Sequence, residues 1–276
     1  MDIGIVGMGL IGGSLALTIK LRTKHRVFAW NRSPEPIEQA RLVGAIDGVL
    51  DEERLRGCRL VLVCLYPAAI VDWVKAHADS FGPGAVVIDC AGVKGCIMRE
   101  LAPLAHGRKW RFIGGHPMAG REFSGFKYAR DDLYDNASMI LTPAENEDTA
   151  LLMRVRDFFM DLGFRRVQFT TPEKHDEMIA YTSQLAHIVS GAYVRCPHAE
   201  EHRGFSAGSF ADMTRVARAN ADMWTELFFD NRAALSTELE GLIGRLQEYA
   251  DALRDGDRER MHALIEEGSA VKERLT

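Results

Sequence analysis

Asp2-Ile3-Gly4-Ile5-Val6-Gly7-Met8-Gly9-Leu10-Ile11-Gly12 opens the chain and decides its fold. Asp2–Val6 reads as a short buried strand, Gly7–Gly12 as a GxGxxG turn, and Ser14–Lys20 as a helix. Strand, glycine turn and helix in that order form the dinucleotide-binding fingerprint in its required context. Gly7 permits the tight turn, Gly9 lets backbone approach a pyrophosphate, and Gly12 lets the helix pack closely on the strand. The helix N-terminus then presents free N–H groups and the positive end of its dipole to the phosphates. Met8, Leu10 and Ile11 complete this cofactor-binding turn.

Outward from this unit, the first half of the chain alternates strand and helix. Strands are expected at 2–6, 26–30, 59–65, 85–90, 111–115, 137–142 and 165–169. Runs such as Leu60-Val61-Leu62-Val63-Cys64-Leu65 are continuously apolar, which suits a sheet covered by helices on both faces. Helices are expected between them, for example over Pro36–Gly44 and Ala68–Ser80. The series predicts an α/β fold with a Rossmann-type, doubly wound sheet. Beyond about residue 172 the strands stop. A long helix is expected from Pro172 to about Arg195, then helices over 209–220, 222–253 and 257–273, with a break at Gly204–Gly208. Leu235, Leu239, Leu242, Leu246, Tyr249 and Leu253 recur at helical spacing and read as a packing face, within the chain or between subunits. The division expected is a dinucleotide-binding domain over 1–171 and an all-helical domain over 172–276, closely abutting around a cleft.

Bulk properties narrow the partners. The 276 residues carry 34 basic and 39 acidic side chains, a net charge of −5, which makes no electrostatic case for nucleic acid or an acidic membrane. The five cysteines contain no CxxC pair and are odd in number, pointing to a reducing cytoplasm rather than a disulfide framework. Because the sequence starts directly with a strand, no signal peptide is expected, and no apolar run reaches membrane-span length. Cys196-Pro197-His198-Ala199-Glu200-Glu201-His202 lacks the spacing of a zinc site and reads as a solvated loop, so no metal is expected.

The end of the second strand bears on the cofactor. It carries Trp30-Asn31-Arg32-Ser33 where an NAD-binding chain would place an acidic residue on the ribose hydroxyls. Arg32 can pair with a 2′-phosphate, and Asn31 and Ser33 can donate to it, which favours NADP and leaves NAD possible; Arg32 could equally be a solvated loop residue. Leu65-Tyr66-Pro67 and Asp89-Cys90-Ala91-Gly92-Val93-Lys94 end the next two long strands at the edge where such sheets bind ligands, so Leu65, Tyr66, Pro67, Asp89 and Ala91 are expected to line the cofactor site. Lys94 could neutralise a substrate carboxylate or be a solvated lysine at a helix start.

Gly114-Gly115-His116-Pro117-Met118-Ala119-Gly120-Arg121 follows. A histidine at a strand's carboxyl end, bracketed by glycines, is placed to meet a ligand, and imidazole suits a base that deprotonates an alcohol; a satisfied structural histidine is the alternative. A polar cluster lies after residue 172: His175, Asp176, Tyr181, Ser183, Gln184 and His187, with Gln184 and His187 sharing a helix face. Asp212-Met213-Thr214-Arg215 with Met223-Trp224 forms another, in which Arg215 could bind a carboxylate or sit in a helical salt bridge.

Together, Gly7–Gly12, the Asp89–Lys94 turn, His116-Pro117-Met118-Ala119-Gly120 with Glu122, His187, and Asp212-Met213-Thr214-Arg215 with Trp224 resemble the prephenate/arogenate dehydrogenase family of tyrosine biosynthesis. The resemblance implies a helical C-terminal dimerisation domain, a homodimer, and oxidative decarboxylation of a cyclohexadienol carboxylate with hydride transfer to NAD(P). It implies that His116 takes the proton from the ring hydroxyl, that Arg215 holds a substrate carboxylate, and that His187 lines the pocket beside Gln184, Gly92, Lys94 and Trp224. The family's usual Gly-Ser is Ala91-Gly92 here, which removes a serine hydroxyl. Its first Ser-His-x-x-His histidine is Gln184, which donates hydrogen bonds but does not titrate. Arg121 follows the HPMAG element and adds a cation that suits a dicarboxylate. Two other readings compete: a related two-domain dehydrogenase or reductase acting on another small carboxylate, which would release no carbon dioxide, and a non-catalytic NADP(H)-binding sensor, which would show no turnover.

Overall fold

In the computed structural model, residues 1–121 and 123–275 are described; Glu122 lies outside them. The first of two compact units, Met1–Asn231, is built on an eight-stranded sheet. Its strands are β1 (Asp2–Val6), β2 (Arg26–Trp30), β3 (Gly48–Val49), β4 (Leu60–Val63), β5 (Val86–Asp89), β6 (Arg111–Met118), β7 (Ser138–Pro143) and β8 (Arg166–Phe169). They lie in the order β3-β2-β1-β4-β5-β6-β7-β8. β1 through β6 are parallel, β7 runs antiparallel to β6, and β8 is again parallel to β7. Seven of these strands coincide with the segments expected from the apolar runs; the two-residue β3 carries too little pattern to be read in advance.

The helices between the strands are α1 (Leu10–Arg22), α2 (Glu35–Leu42), α3 (Glu52–Gly57), α4 (Pro67–Ala76), α5 (Gly95–Ala105) and α6 (Thr149–Asp161). Both sheet faces are covered, and side-chain alternation sorts the strand residues into two cores. Ile3, Ile5, Leu62 and Ile88 join the α1 side, and Val61, Val63, Val87 and Phe112 join the α4 and α5 side. Full burial of each such side chain stabilises the fold by about 1.5–3 kcal/mol, which is why the continuous apolar runs form interior strands.

The expected long helix from Pro172 is interrupted. α7 (Pro172–Ile179) passes through one π turn (Ala180–Gln184) into α8 (Leu185–Tyr193). Such a bulge adds a residue to the turn and is frequent at functional sites. Next come α9 (Gly208–Thr214) and α10 (Ala221–Asp230). The helix expected over 222–253 is in fact two, separated at Asn231. The side chain of Asn231 is drawn inward and donates 2.8 Å bonds to the Asp176 carbonyl and to Gln184 Oε1.

The second unit, Arg232–Thr276, contains α11 (Arg232–Asp255) and α12 (Arg258–Leu275). Gly256, at φ +68°, supplies the left-handed residue that ends α11. Tyr249 Oη donates to the Leu264 carbonyl at 3.2 Å, and Arg260 pairs with Glu248 at 3.2 Å. Helices α7–α10, which the sequence groups with the helical part, belong to the first unit.

Candidate active site

The glycine turn has the geometry its sequence predicts. Gly7 adopts φ +95°, and its N–H donates to the Trp30 carbonyl at 2.8 Å. A Cβ on Gly12 would lie 1.9 Å from the Gly7 carbonyl oxygen, so only glycine lets α1 sit this close to β1. A Cβ on Gly9 would meet nothing within 4 Å. That open side faces the N-terminus of α1, whose first turn contains no acidic residue and whose N-cap has no side-chain partner. These are the properties a pyrophosphate requires, and the chain fits a dinucleotide here. Asn31 Oδ1 accepts from the Met8 N–H at 2.9 Å, and its Nδ2 donates to the Ser33 carbonyl at 3.0 Å. Asn31 therefore ties the end of β2 to the glycine turn, leaving Arg32 and Ser33 exposed beside it. Leu65 is half-buried, Tyr66 is exposed and Pro67 begins α4. Glu226 of α10 accepts from the Ala68 N–H at 2.8 Å, fastening α10 to this edge.

His116 lies on β6, opposite Ile140 of β7. Its Nδ1 is 2.9 Å from His175 Nε2, and His175 Nδ1 is 2.7 Å from Asp176 Oδ1. Asp176 also accepts from the Lys94 N–H (Oδ1) and the Gly95 N–H (Oδ2), each at 2.8 Å, at the start of α5. Burial, then the nearby His175 and Lys94 charges, push the His116 imidazole well below its usual range. His175 is lowered too, chiefly by burial, with the Asp176 hydrogen bond opposing. The sequence marks His175 and Asp176 as polar neighbours but not as partners of a residue 59 positions away. An adjacent His-Asp pair on one helix was the available signal.

A neutral imidazole can accept a proton and a protonated one cannot. kcat/KM is therefore expected to stay flat down to the usual imidazole value of about 6.5 and to fall only below it, as His116 protonates. A pH–rate profile with its acidic limb above that value would contradict the burial of His116.

Three expected ligand contacts are corrected. Lys94 is completely buried and its ammonium pairs with Asp89 Oδ1, so it is not free to neutralise a substrate carboxylate. Asp89, equally buried, also accepts from the Ala91 N–H at 3.0 Å and the Gly115 N–H at 3.2 Å, so its carboxylate braces the turn from inside and is not exposed to a ligand. Gln184 is buried in the π turn; it donates to the Leu227 carbonyl at 3.0 Å and accepts from Asn231. It clamps α8 to α10 from a buried position. Sequence pattern shows residue type but not which partner a buried polar group finds.

The other expected residues group around α10. A Cβ on Gly92 would stand 3.5 Å from Leu227 and 3.9 Å from His116 Nε2, ordinary contact distances, so the position of the missing serine lies beside the histidine. Ala91 is buried beside it. Trp224, one turn before Leu227 on α10, packs against His187 with ring centroids 3.7 Å apart and the planes tilted by 35°. His187 Nδ1 is buried without a hydrogen-bond partner. Burial lowers its pKa, a backbone hydrogen bond at Val216 opposes the shift, and the charge of Arg215 adds to the lowering. Arg215 ends α9, exposed. Arg121 is exposed beyond β6 and, after Arg130, helps hold the Asp132 carboxyl below its usual range. Among the described residues, no group of three or more His, Cys, Asp or Glu side chains is arranged to hold a metal ion.

Comparison with known proteins identifies relatives of this chain. The family model "Prephenate dehydrogenase, nucleotide-binding domain" matches residues 15–168, and "Prephenate dehydrogenase, dimerization domain" matches residues 171–267. The chain is 29% identical over 282 residues to a prephenate dehydrogenase of Lactococcus lactis subsp. cremoris, covering 98% of this chain and 76% of that protein. Among solved structures it resembles Aquifex aeolicus prephenate dehydrogenase in complex with hydroxyphenyl propionate and NAD+, with TM-score 0.88, 27% identity, and 100% and 98% of the two chains covered. It also resembles Synechocystis arogenate dehydrogenase, with TM-score 0.84, 27% identity and full coverage of both chains.

Proposed function

The chain belongs to the prephenate dehydrogenase family, and from that membership we propose that it oxidatively decarboxylates prephenate or arogenate to 4-hydroxyphenylpyruvate or tyrosine. The observation that carries this reading is His116, half-buried on β6 with Nε2 beside Gly92, in the unit that also carries the dinucleotide cradle. A nicotinamide dinucleotide held at Gly7–Gly12 and Asn31 would supply the acceptor for the hydride of ring C4. His116 removes the proton of the C4 hydroxyl as that hydride leaves. The C1 carboxylate departs as carbon dioxide, its bond pair completes the aromatic ring, and the proton borrowed by His116 returns to the phenolate oxygen. Aromatisation supplies driving force, so the protein's part is to position the ring and move one proton; a placed base contributes about 10²–10⁴-fold. Arg215, exposed at the end of α9, is the guanidinium we assign to a substrate carboxylate, and Arg121 adds positive charge suited to a dicarboxylate. We retain 171/172 as the functional division, which the break between the two family models at 168 and 171 supports.

Within the nicotinamide cofactors the reading favours NADP, because Arg32 and Ser33 are exposed at the end of β2 and no carboxylate stands there. Arg32→Ala is expected to reduce kcat/KM for NADP about tenfold or more while changing that for NAD little. A strong wild-type preference for NAD would overturn the assignment. The proposed assembly is a homodimer through the helical part. Large apolar side chains of α11 and α12 support it, since Ile243, Leu246, Leu253, Ile265 and Val271 are all exposed in the single chain. No helix among the described residues is long and apolar enough to cross a membrane. The unpaired cysteines suit the reducing cytoplasm, where we place the enzyme.

The test crosses prephenate and arogenate with NAD and NADP, following reduced-nicotinamide absorbance and carbon dioxide together. Turnover with stoichiometric carbon dioxide is expected for at least one pair. Hydride transfer without carbon dioxide would favour a different hydroxy-acid or imine substrate, and tight cofactor binding without turnover would favour the sensor.

A further inference from the structure

We propose that His175 and Asp176 are positioning residues that fix the tautomer of His116 and share the charge it acquires. The inference rests on the functional reading above for its kinetic consequences, but its geometric content stands alone.

Asp176 is the fixed end of the chain. Its two oxygens already accept backbone N–H bonds from Lys94 and Gly95, and toward His175 they offer only acceptor lone pairs. The 2.7 Å contact is therefore His175 Nδ1–H donating to Asp176 Oδ1. A neutral His175 then has a bare Nε2, which can only accept, so the 2.9 Å contact is His116 Nδ1–H donating to His175 Nε2. Each bond dictates the next, and the result is a His116 whose unprotonated atom is Nε2. Nε2 is the ring nitrogen beside Gly92, 3.9 Å from where a Cβ there would stand.

This orientation also handles the product of the proton transfer. A proton taken at His116 Nε2 makes an imidazolium. Its Nδ1 proton can move to His175 Nε2, placing the charge on the ring that touches Asp176. No other co-reactant is needed, and the reverse shift restores both rings when the proton leaves. The remaining ionisable groups facing this chain are Lys94 and Asp89 before α5, Cys96 on α5 and Asp230 on α10. Lys94 and Asp89 neutralise one another, which leaves Asp176 as the carboxylate in direct contact with the histidine pair.

The experiment reads the nitrogen tautomers of His116 by NMR of the histidine-labelled full chain, assigned with His116→Asn, alongside pH–rate profiles. Wild type is expected to show a protonated Nδ1 and bare Nε2. Asp176→Asn and His175→Phe are both expected to shift His116 toward the Nε2–H form. They should lower kcat about 10²–10⁴-fold, move the acidic limb to lower pH, and leave KM and cofactor affinity nearly unchanged. His175→Phe leaves the backbone bonds of Asp176 in place and carries the comparison if Asp176→Asn does not fold. A wild-type His116 protonated on Nε2, or both variants retaining the wild-type tautomer and pH profile, would overturn the inference. A protonated Nδ1 in a protein that turns over no cyclohexadienol would instead overturn the functional reading.

Discussion

His116→Asn is expected to lower kcat by about 10²–10⁴-fold while the Kd for the nicotinamide dinucleotide stays within a few-fold of wild type. The two readouts separate because their structural bases do. The cofactor cradle is built from Gly7–Gly12 and Asn31, at the join of β1, α1 and β2. His116 is carried by β6, three strands from β1 in the sheet. Asparagine is smaller than histidine and can still donate to His175, so the hydrogen-bond chain keeps a partner and the fold has little reason to move. What disappears is a nitrogen that can hold a proton, since an amide does not titrate. The acidic limb of the pH–rate profile should vanish with it. Single-turnover measurements of hydride transfer, with cofactor titrations in parallel, make the comparison. Unchanged turnover would remove His116 from the role of base.

Lys94→Ala is expected to cost about 3–5 kcal/mol of stability, the usual price of leaving one member of a buried ion pair without its partner. Both side chains are fully shielded from solvent. Burial drives the Asp89 carboxyl upward, and Lys94, then the Ala91 and Gly115 N–H groups, oppose that rise. Without the ammonium, Asp89 retains two backbone donors and no cation. It is then expected to take up a proton, which limits the loss at low pH; the loss grows as pH rises from the unfolded carboxyl value of about 3.9 toward the raised folded value, and levels off above it. Lys94→Met with Asp89→Asn, which removes both charges, should recover much of the stability. Denaturant unfolding at fixed protein concentration measures both, because a dimer's apparent stability depends on concentration. A loss below about 1 kcal/mol for Lys94→Ala would mean that the pair behaves like an exposed one.

What could be read from the sequence was what is local. The β1–turn–α1 unit specifies itself within twelve residues, through apolar run, glycine spacing and helix, and the structure reproduces it. The other long strands were legible because burial on both faces leaves unbroken apolar runs. The break at Asn231 was hidden, since apolar periodicity continues across it and the cause is a hydrogen bond to Asp176, 55 residues earlier. The site followed the same rule. His116 could be singled out from its glycine-flanked strand end. That it meets His175, that Lys94 is consumed by Asp89, and that Gln184 clamps α10 depend on which segments fold together, and spacing along the chain holds no record of that.

The single π turn at Ala180–Gln184 makes the number of residues in this segment matter as much as their identity. A helix advances about 100° per residue. A descendant that lost one residue here could straighten α7 and α8 into a continuous α-helix, and everything after the deletion would swing by that angle. Gln184 would turn away from the Leu227 carbonyl, and His187 would leave the face of Trp224. Substitutions along the helix can be tried one at a time, but a change in its length alters both contacts at once. Drift in this segment should therefore proceed by replacement, with insertions and deletions confined to the loops on either side.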